Sequence, residues 1–394
     1  MLDRGSTDAE AQRAPPSMVP THSMNRRLPL LEGRAEATNR CTYCPKLCRP
    51  ACPVSTVEGR ETVTPWGKMR AMDELLRDIE PAEEASRAAM AWACTGCGRC
   101  RTLCLLDNPV AETLWDGRAD ALANRIAPEP VSRLVAGWEH HRAQLQAAAG
   151  DAGLTGSGSA VAVIPGCRAV REDPSGARRT LRSVEALTGG CHAVGGECCG
   201  APLWDAGDRE GFFRQAERFV AAVGPDATEL VVSDAGCAWT LRTLYPQLGL
   251  APERWVRVEH LAETAARKLD RLRPMEVGGS VAVHDSCRLG RGLGVYDAPR
   301  AVMQRILGRP ALELPSSRDQ SSCSGAGGLL PITRPATSRA IAADLAAEVR
   351  ELGPEVAVVT SCTSSRSQLR KAGVRADDLA DWIARSLGVA DDAG

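Results

Sequence analysis

The chain has 394 residues, 44% hydrophobic and 25% charged, with a formal net charge of −1. Such a length outgrows one hydrophobic core, and about two or three domains are expected. The near-neutral balance offers no electrostatic grip on nucleic acid or on an anionic membrane surface, and no apolar run approaches the roughly 18–20 residues of a transmembrane span.

Residues 1–40 are polar, carry Pro15, Pro16, Pro20 and Pro29, and read as a disordered N-terminal tail. Two cysteine runs follow. The first is Cys41-x₂-Cys44-x₃-Cys48-x₃-Cys52-Pro53 and the second Cys94-x₂-Cys97-x₂-Cys100-x₃-Cys104. The second run has the spacing of a bacterial ferredoxin; the first carries one extra residue between Cys44 and Cys48 and ends in Cys-Pro. Eight thiolates in two blocks of four suit two 4Fe-4S clusters. Three close thiolates reach one cluster while the fourth points to its neighbour. Cys41, Cys44, Cys48 and Cys104 are therefore expected on cluster 1, and Cys94, Cys97, Cys100 and Cys52 on cluster 2. Disulfides would need an oxidising compartment, and zinc sites usually draw on pairs separated by a long gap. With 16 cysteines and no recognisable secretion leader, a cytoplasmic setting is expected.

Between the runs, Thr64-Pro65-Trp66-Gly67-Lys68 reads as a turn feeding a helix with Met69, Met72, Leu75 and Leu76 on one face. Helical patterns continue over 111–126 and 129–148, which closes a dicluster ferredoxin-like domain over 41–148. Residues 149–159 are rich in Gly and Ser and read as a linker.

Beyond it the chain repeats itself, over 160–275 and again over 276–385. Val161-Ala162-Val163-Ile164 runs into Cys167-Arg168, as Val281-Ala282-Val283-His284 runs into Cys287-Arg288. Cys198-Cys199-Gly200-Ala201 matches Cys323-Ser324-Gly325-Ala326. In the first copy Phe212, Phe213, Ala216, Phe219, Val220 and Val223 stripe a helix that Asp208 caps and Gly224 ends. The strands 229–233 and 356–360 then lead toward Cys237 and Cys362. Alternating strands and helices predict parallel α/β units, paired about a pseudo-twofold axis, with thiols at the carboxyl ends of the strands.

These residues carry a resemblance. Tandem Cys-Cys-Gly segments behind a two-cluster domain resemble the heterodisulfide reductase-type (CCG domain) iron–sulfur family, whose members include iron–sulfur subunits of glycolate oxidase and of anaerobic glycerol-3-phosphate dehydrogenase. His284-Asp285-Ser286-Cys287-Arg288-Leu289-Gly290-Arg291 and Ser322-Cys323-Ser324-Gly325-Ala326-Gly327-Gly328 are similar to its segments, as is Pro65-Trp66-Gly67-Lys68-Met69. The resemblance implies an α/β fold in which a helical two-cluster domain precedes two CCG-type repeats. It also implies a five-thiol site per repeat. The first copy supplies Cys167, Cys198, Cys199 and Cys237, with Asp234 in the fifth place, as the set for a third cluster. The second retains Cys287, Cys323 and Cys362, with Ser324 and Ser365 where thiols are expected, and reads as degenerate.

The function implied is that of an iron–sulfur electron-transfer subunit. It would relay electrons between a flavoprotein dehydrogenase and a quinone or other carrier, and be held at the inner face of the membrane only through a partner. Gly290-x-Gly292-x-Gly294 lacks the spacing of a dinucleotide fingerprint, so neither flavin nor NAD is expected on this chain. The alternative is a catalytic disulfide reductase working at the first CCG site; a zinc-stabilised scaffold is a third reading. Cys191-His192 reads as a buried thiol beside a polar turn, and His284 as a strand-end cap.

Overall fold

Residues 27–77 and 80–389 are described by the computed structural model. Of the expected tail, residues 1–26 lie outside the described residues, but order begins well before residue 40. Short helices span Pro29–Glu32 and Ala35–Thr42. Leu28 and Leu31 are buried against Met72 and Leu114, and the Leu31 amide donates to Asp120 at 2.8 Å. Two leucines in a polar stretch leave no periodic signal, so the tail reading fails over residues 28–40, which are packed.

The cysteine-bearing domain is helical. Thr64 caps the helix Pro65–Leu75 by accepting the Gly67 amide, and proline at the first helical position leaves no donor unmet. Met69, Met72 and Leu75 point inward as expected, and each contributes about 2 kcal/mol by leaving water. They meet Trp92 and Leu114 from the helix Val110–Ala123. Helices Glu129–Ala136 and Trp138–Asp151, broken at Gly137, close the domain.

The stretch expected as a linker is packed rather than free. Helix Trp138–Asp151 runs into it, Leu154 is fully buried, and Thr155 bridges Val194. Gly and Ser dominate the composition there, and they mask the two residues that dock.

Two four-stranded parallel sheets follow, ordered β2-β1-β3-β4 and β6-β5-β7-β8. The first holds β1 (Val161–Ile164), β2 (His192–Ala193), β3 (Glu229–Val232) and β4 (Arg257–His260). The second holds β5 (Val281–His284), β6 (Leu312–Glu313), β7 (Ala357–Thr360) and β8 (Ala376–Asp378). The shared strand order is the repeat seen in the sequence. Side chains alternate across each strand, so Ala162 and Ile164 face the Phe212–Phe219 side while Val163 faces the other. There Val163 and Val231 share one core with Val281, Val283 and Val359 of the second sheet, which joins the repeats. Helix Arg209–Val223 carries the expected stripe, with Asp208 accepting the Gly211 amide and Gly224 following; only Phe213 is left exposed.

Candidate metal centre

The fold brings the two cysteine runs together at two hollows. The first is lined by Cys41, Cys44, Cys48 and Cys104, the second by Cys52, Cys94 and Cys97, and Cys100 stands in the wall of both. Asn108 ties Cys104 to the earlier run: its amide N–H donates to Cys104 Sγ at 3.4 Å, and its Nδ2 to Cys41 Sγ at 3.0 Å. The Gly96 amide likewise donates to Cys94 Sγ at 3.3 Å.

All sixteen cysteines are free thiols. Burial, aided by the nearby Cys48, Cys44 and Cys104, pushes Cys41 up to about 12 against the Asn108 hydrogen bond, and burial with Cys44 and Cys104 takes Cys48 to about 11. Burial beside Cys94 and Cys97 raises Cys100 as well. Four thiols crowded into an apolar hollow are a poor arrangement for protonated sulfur. A cationic metal–sulfide core would relieve it, and the donor set fits one. No three His, Cys, Asp or Glu side chains among the described residues gather closely enough for one metal ion, so the thiols stand around hollows rather than around a point.

One group was named in the sequence only as part of the Pro65–Met69 segment and not as a member of this site. Lys68, 1% exposed, places Nζ 3.2 Å from Cys52 Sγ. Burial would push its ammonium down, but Cys52, Cys94 and Cys100 outweigh that and hold it above the ordinary lysine range. The sequence offers its place between the two runs and in the Pro65–Met69 segment, but not its burial against Cys52.

In the first repeat the expected thiols converge. Cys198 donates to Cys167 and Cys199 to Cys237, each at 3.5 Å. Gly200 makes the turn possible: its φ is +83°, and a Cβ would lie 2.9 Å from Phe212. The Cys198 thiol first, and then His141, bring Cys167 down to about 6 despite its burial. His141, another residue the sequence did not mark, stacks on Trp138 at 5.1 Å and accepts or shares a hydrogen bond with Arg171 at 2.7 Å. Asp234, expected in the fifth ligand place, lines the same cavity but acts as a cap. Its Oδ1 accepts the Gly236 and Cys237 amides, and its Oδ2 accepts the Thr363 amide of the other repeat at 3.1 Å. Burial raises its pKa. Cys191 and His192 lie apart, bonded to the Leu181 and Val223 carbonyls.

In the second repeat Ser324 and Ser365 hydrogen-bond each other at 2.9 Å. Gly325 repeats the turn of Gly200, with φ +74° and the Ser338 carbonyl 2.6 Å from where a Cβ would stand. His284 bonds Thr360 and the Ser322 carbonyl, each at 3.1 Å, as a strand-end cap. A cavity of about 930 Å³ opens between the repeats, with Cys167, Cys198, Cys199 and Cys237 on one wall and Cys287, Cys323 and Cys362 on the other.

Arg118 joins the cysteine-bearing domain to this region. Its side chain is 1% exposed and donates to the carbonyls of Ala91, Cys94 and Asp205. No helix among the described residues is long and apolar enough to cross a membrane.

Comparison with known proteins agrees with this layout. The 4Fe-4S dicluster domain family matches residues 37–107, and the Cysteine-rich domain family, CCG, matches residues 161–242 and 281–370. A subunit of the CoM/CoB fumarate reductase of Methanothermobacter marburgensis is 28% identical over 328 residues, covering 80% of this chain and 64% of that relative. The chain therefore spans less than two thirds of that protein. A subunit of the dihydromethanophenazine:CoB–CoM heterodisulfide reductase of Methanosarcina barkeri is 23% identical over 389 residues, covering 90% of this chain and 94% of the relative. Lactate utilization protein A of Oceanobacillus iheyensis is 29% identical over 173 residues, 41% of this chain and 68% of that protein.

Proposed function

Because the chain belongs to the heterodisulfide reductase-type iron–sulfur proteins, which join a 4Fe-4S dicluster domain to CCG domains, we propose that it is the electron-transfer subunit of a multi-subunit oxidoreductase. The observation that carries this reading is the pair of adjoining thiol-lined hollows that share Cys100. Cys41, Cys44, Cys48 and Cys104 would hold one cluster, and Cys52, Cys94, Cys97 and Cys100 the other. A 4Fe-4S core bound at each supplies one-electron transfer. The chain's own residues do the rest. Asn108 and Gly96 donate N–H groups to ligand sulfurs, Lys68 sets a positive charge beside the second hollow, and Cys100 separates the two by one side chain.

The partner would be a flavoprotein dehydrogenase, with a quinone or other carrier at the far end and no flavin on this chain. Tyr43, Leu47, Leu103, Leu105 and Leu106 stand exposed on the two loops that carry the first-hollow cysteines, which supports a partner facing that side. Membrane attachment at the inner face would come through such a partner.

A second reading, disulfide reduction at the first repeat, is favoured by its two thiol contacts of 3.5 Å on the cavity wall. In that reading Cys167, Cys198, Cys199 and Cys237, with or without Asp234, hold a third cluster.

The test is an iron and acid-labile sulfide count on the full chain purified anaerobically. About eight irons per chain supports a relay of two clusters, and about twelve adds the first-repeat set. About one or two zinc ions and no sulfide overturns both. The spectra of C104S and C52S then check the ligand sets. C104S should perturb only the cluster sited with Cys41, and C52S only the other; the opposite pattern refutes the crossed assignment.

A further inference from the structure

The second repeat keeps one thiol pair and loses the other. By the repeat, Cys287 and Cys323 stand where Cys167 and Cys198 meet at 3.5 Å in the first copy. Ser324 and Ser365 stand where Cys199 and Cys237 meet, and they spend their hydroxyls on each other. A hydroxyl pair neither forms a disulfide nor ligates iron well. The retained pair adjoins the cysteine-bearing domain. The Cys323 thiol is within hydrogen-bonding reach of Cys287 on one side and of Cys97 on the other, and contacts Thr95 Oγ1 at 3.6 Å. Cys97 lines the second hollow, while Cys287 and Cys323 line the cavity.

The contact is built, not incidental. Arg291 donates to the Cys97 carbonyl at 2.8 Å and to the Ser321 carbonyl at 2.8 Å, bolting the two loops together. Gly327 and Gly328 lie flat on the Thr95–Cys94 backbone, where a Cβ would come within 2.5 Å and 2.1 Å of those carbonyl oxygens.

We infer that Cys287 and Cys323 form a redox-active dithiol, placed to exchange electrons with the second hollow through Cys97 and to present them to the cavity. The inference rests on the reading that Cys97 holds a 4Fe-4S cluster. The reduction balances: the Cys287–Cys323 S–S bond breaks, two S–H bonds form, two protons enter from cavity water, and two electrons come from the two reduced iron–sulfur carriers, one from each. Oxidation of the dithiol returns the same two electrons to those carriers.

The test uses the full-length, iron-loaded protein. Ferricyanide oxidation, denaturing alkylation and peptide mass spectrometry should show a linked Cys287–Cys323 peptide, which disappears after anaerobic reduction with dithionite. A coulometric titration should take up about two more electrons in wild type than in C287S, with iron unchanged. Two freely alkylated thiols in the ferricyanide-treated protein would overturn the inference. So would a loss of about four irons in C287S, which would make the thiol a cluster ligand. Wild-type protein that never binds iron refutes the underlying reading instead, so the two failures are distinguishable.

Discussion

Removing the charge of Lys68 tests how the two sites are tuned. Its Nζ lies 3.2 Å from Cys52 Sγ, it is 1% exposed, and among the described residues it meets no carboxylate. The Lys68→Met substitution keeps the volume and deletes the charge. Taking about 6 Å from the ammonium to the centre of a bound core and an effective dielectric constant of about 20, the charge favours an added electron by about 2.8 kcal/mol. For one electron this is about 120 mV. Twice the dielectric constant halves it, which sets a window of about 60–120 mV. The charge neighbours Cys52, Cys94 and Cys100, so the second site should fall in potential by that amount and the first by less than half as much. EPR-monitored potentiometry on anaerobic protein with its iron counted reads both signals. A shift under about 20 mV with full iron, or equal shifts of both signals, would refute the reasoning.

Two further outcomes concern stability. Arg118→Met should lower the urea midpoint by the equivalent of about 3–5 kcal/mol, because it leaves the Ala91, Cys94 and Asp205 carbonyls buried without their donor; a midpoint within error of wild type would remove the joint from the argument. The second outcome is a pH dependence. Burial raises Asp378 to about 7, against about 3.9 in an unfolded chain. Between those values the folded state holds the extra proton, so stability falls as pH rises from about 4 to about 7 and levels above. His260, held neutral by burial at about 4, acts in the opposite sense: the unfolded chain takes up the proton below about 6.5, so stability rises from about 4 to about 6.5. Asp378→Asn should therefore unmask the rising limb; superimposable Tm–pH curves for D378N and wild type would contradict the Asp378 assignment, and a D378N curve that does not rise between about 4 and 6.5 would contradict that of His260.

The repeats were legible because each strand is a short β-branched run ending near a cysteine, and a motif copied 120 or so residues later needs no tertiary information. Asp208 and Gly224 were legible for the same local reason, since a cap and a stop act within one turn. What stayed hidden depends on through-space neighbours. Leu31 looks like tail until Asp120 accepts its amide from 89 residues away. Asp234 stands in a ligand's place in the chain, and nothing there announces that the first turn of its own helix and the Thr363 amide engage both its oxygens. The contact of Cys323 with Thr95 joins segments 228 residues apart, and nothing in either segment announces it.

If both hollows hold clusters, as proposed, the placement of charge would give the relay a direction. The first hollow is bordered by Lys46, whose side chain is 37% exposed and rests over Trp66, so water screens most of its field. The second has Lys68 in a setting without water. A bias of about 60–120 mV in favour of the second site corresponds to about a ten- to hundredfold preference for the electron to sit there. That site is also the one whose Cys97 abuts Cys323, while the first carries the exposed apolar loops. With a cluster held at each hollow, one buried lysine and one interdomain contact would favour entry at the surface, a downhill step across Cys100 and exit toward the cavity. Reversed flow would need a partner that holds the first site's electron more tightly than Lys68 holds the second's.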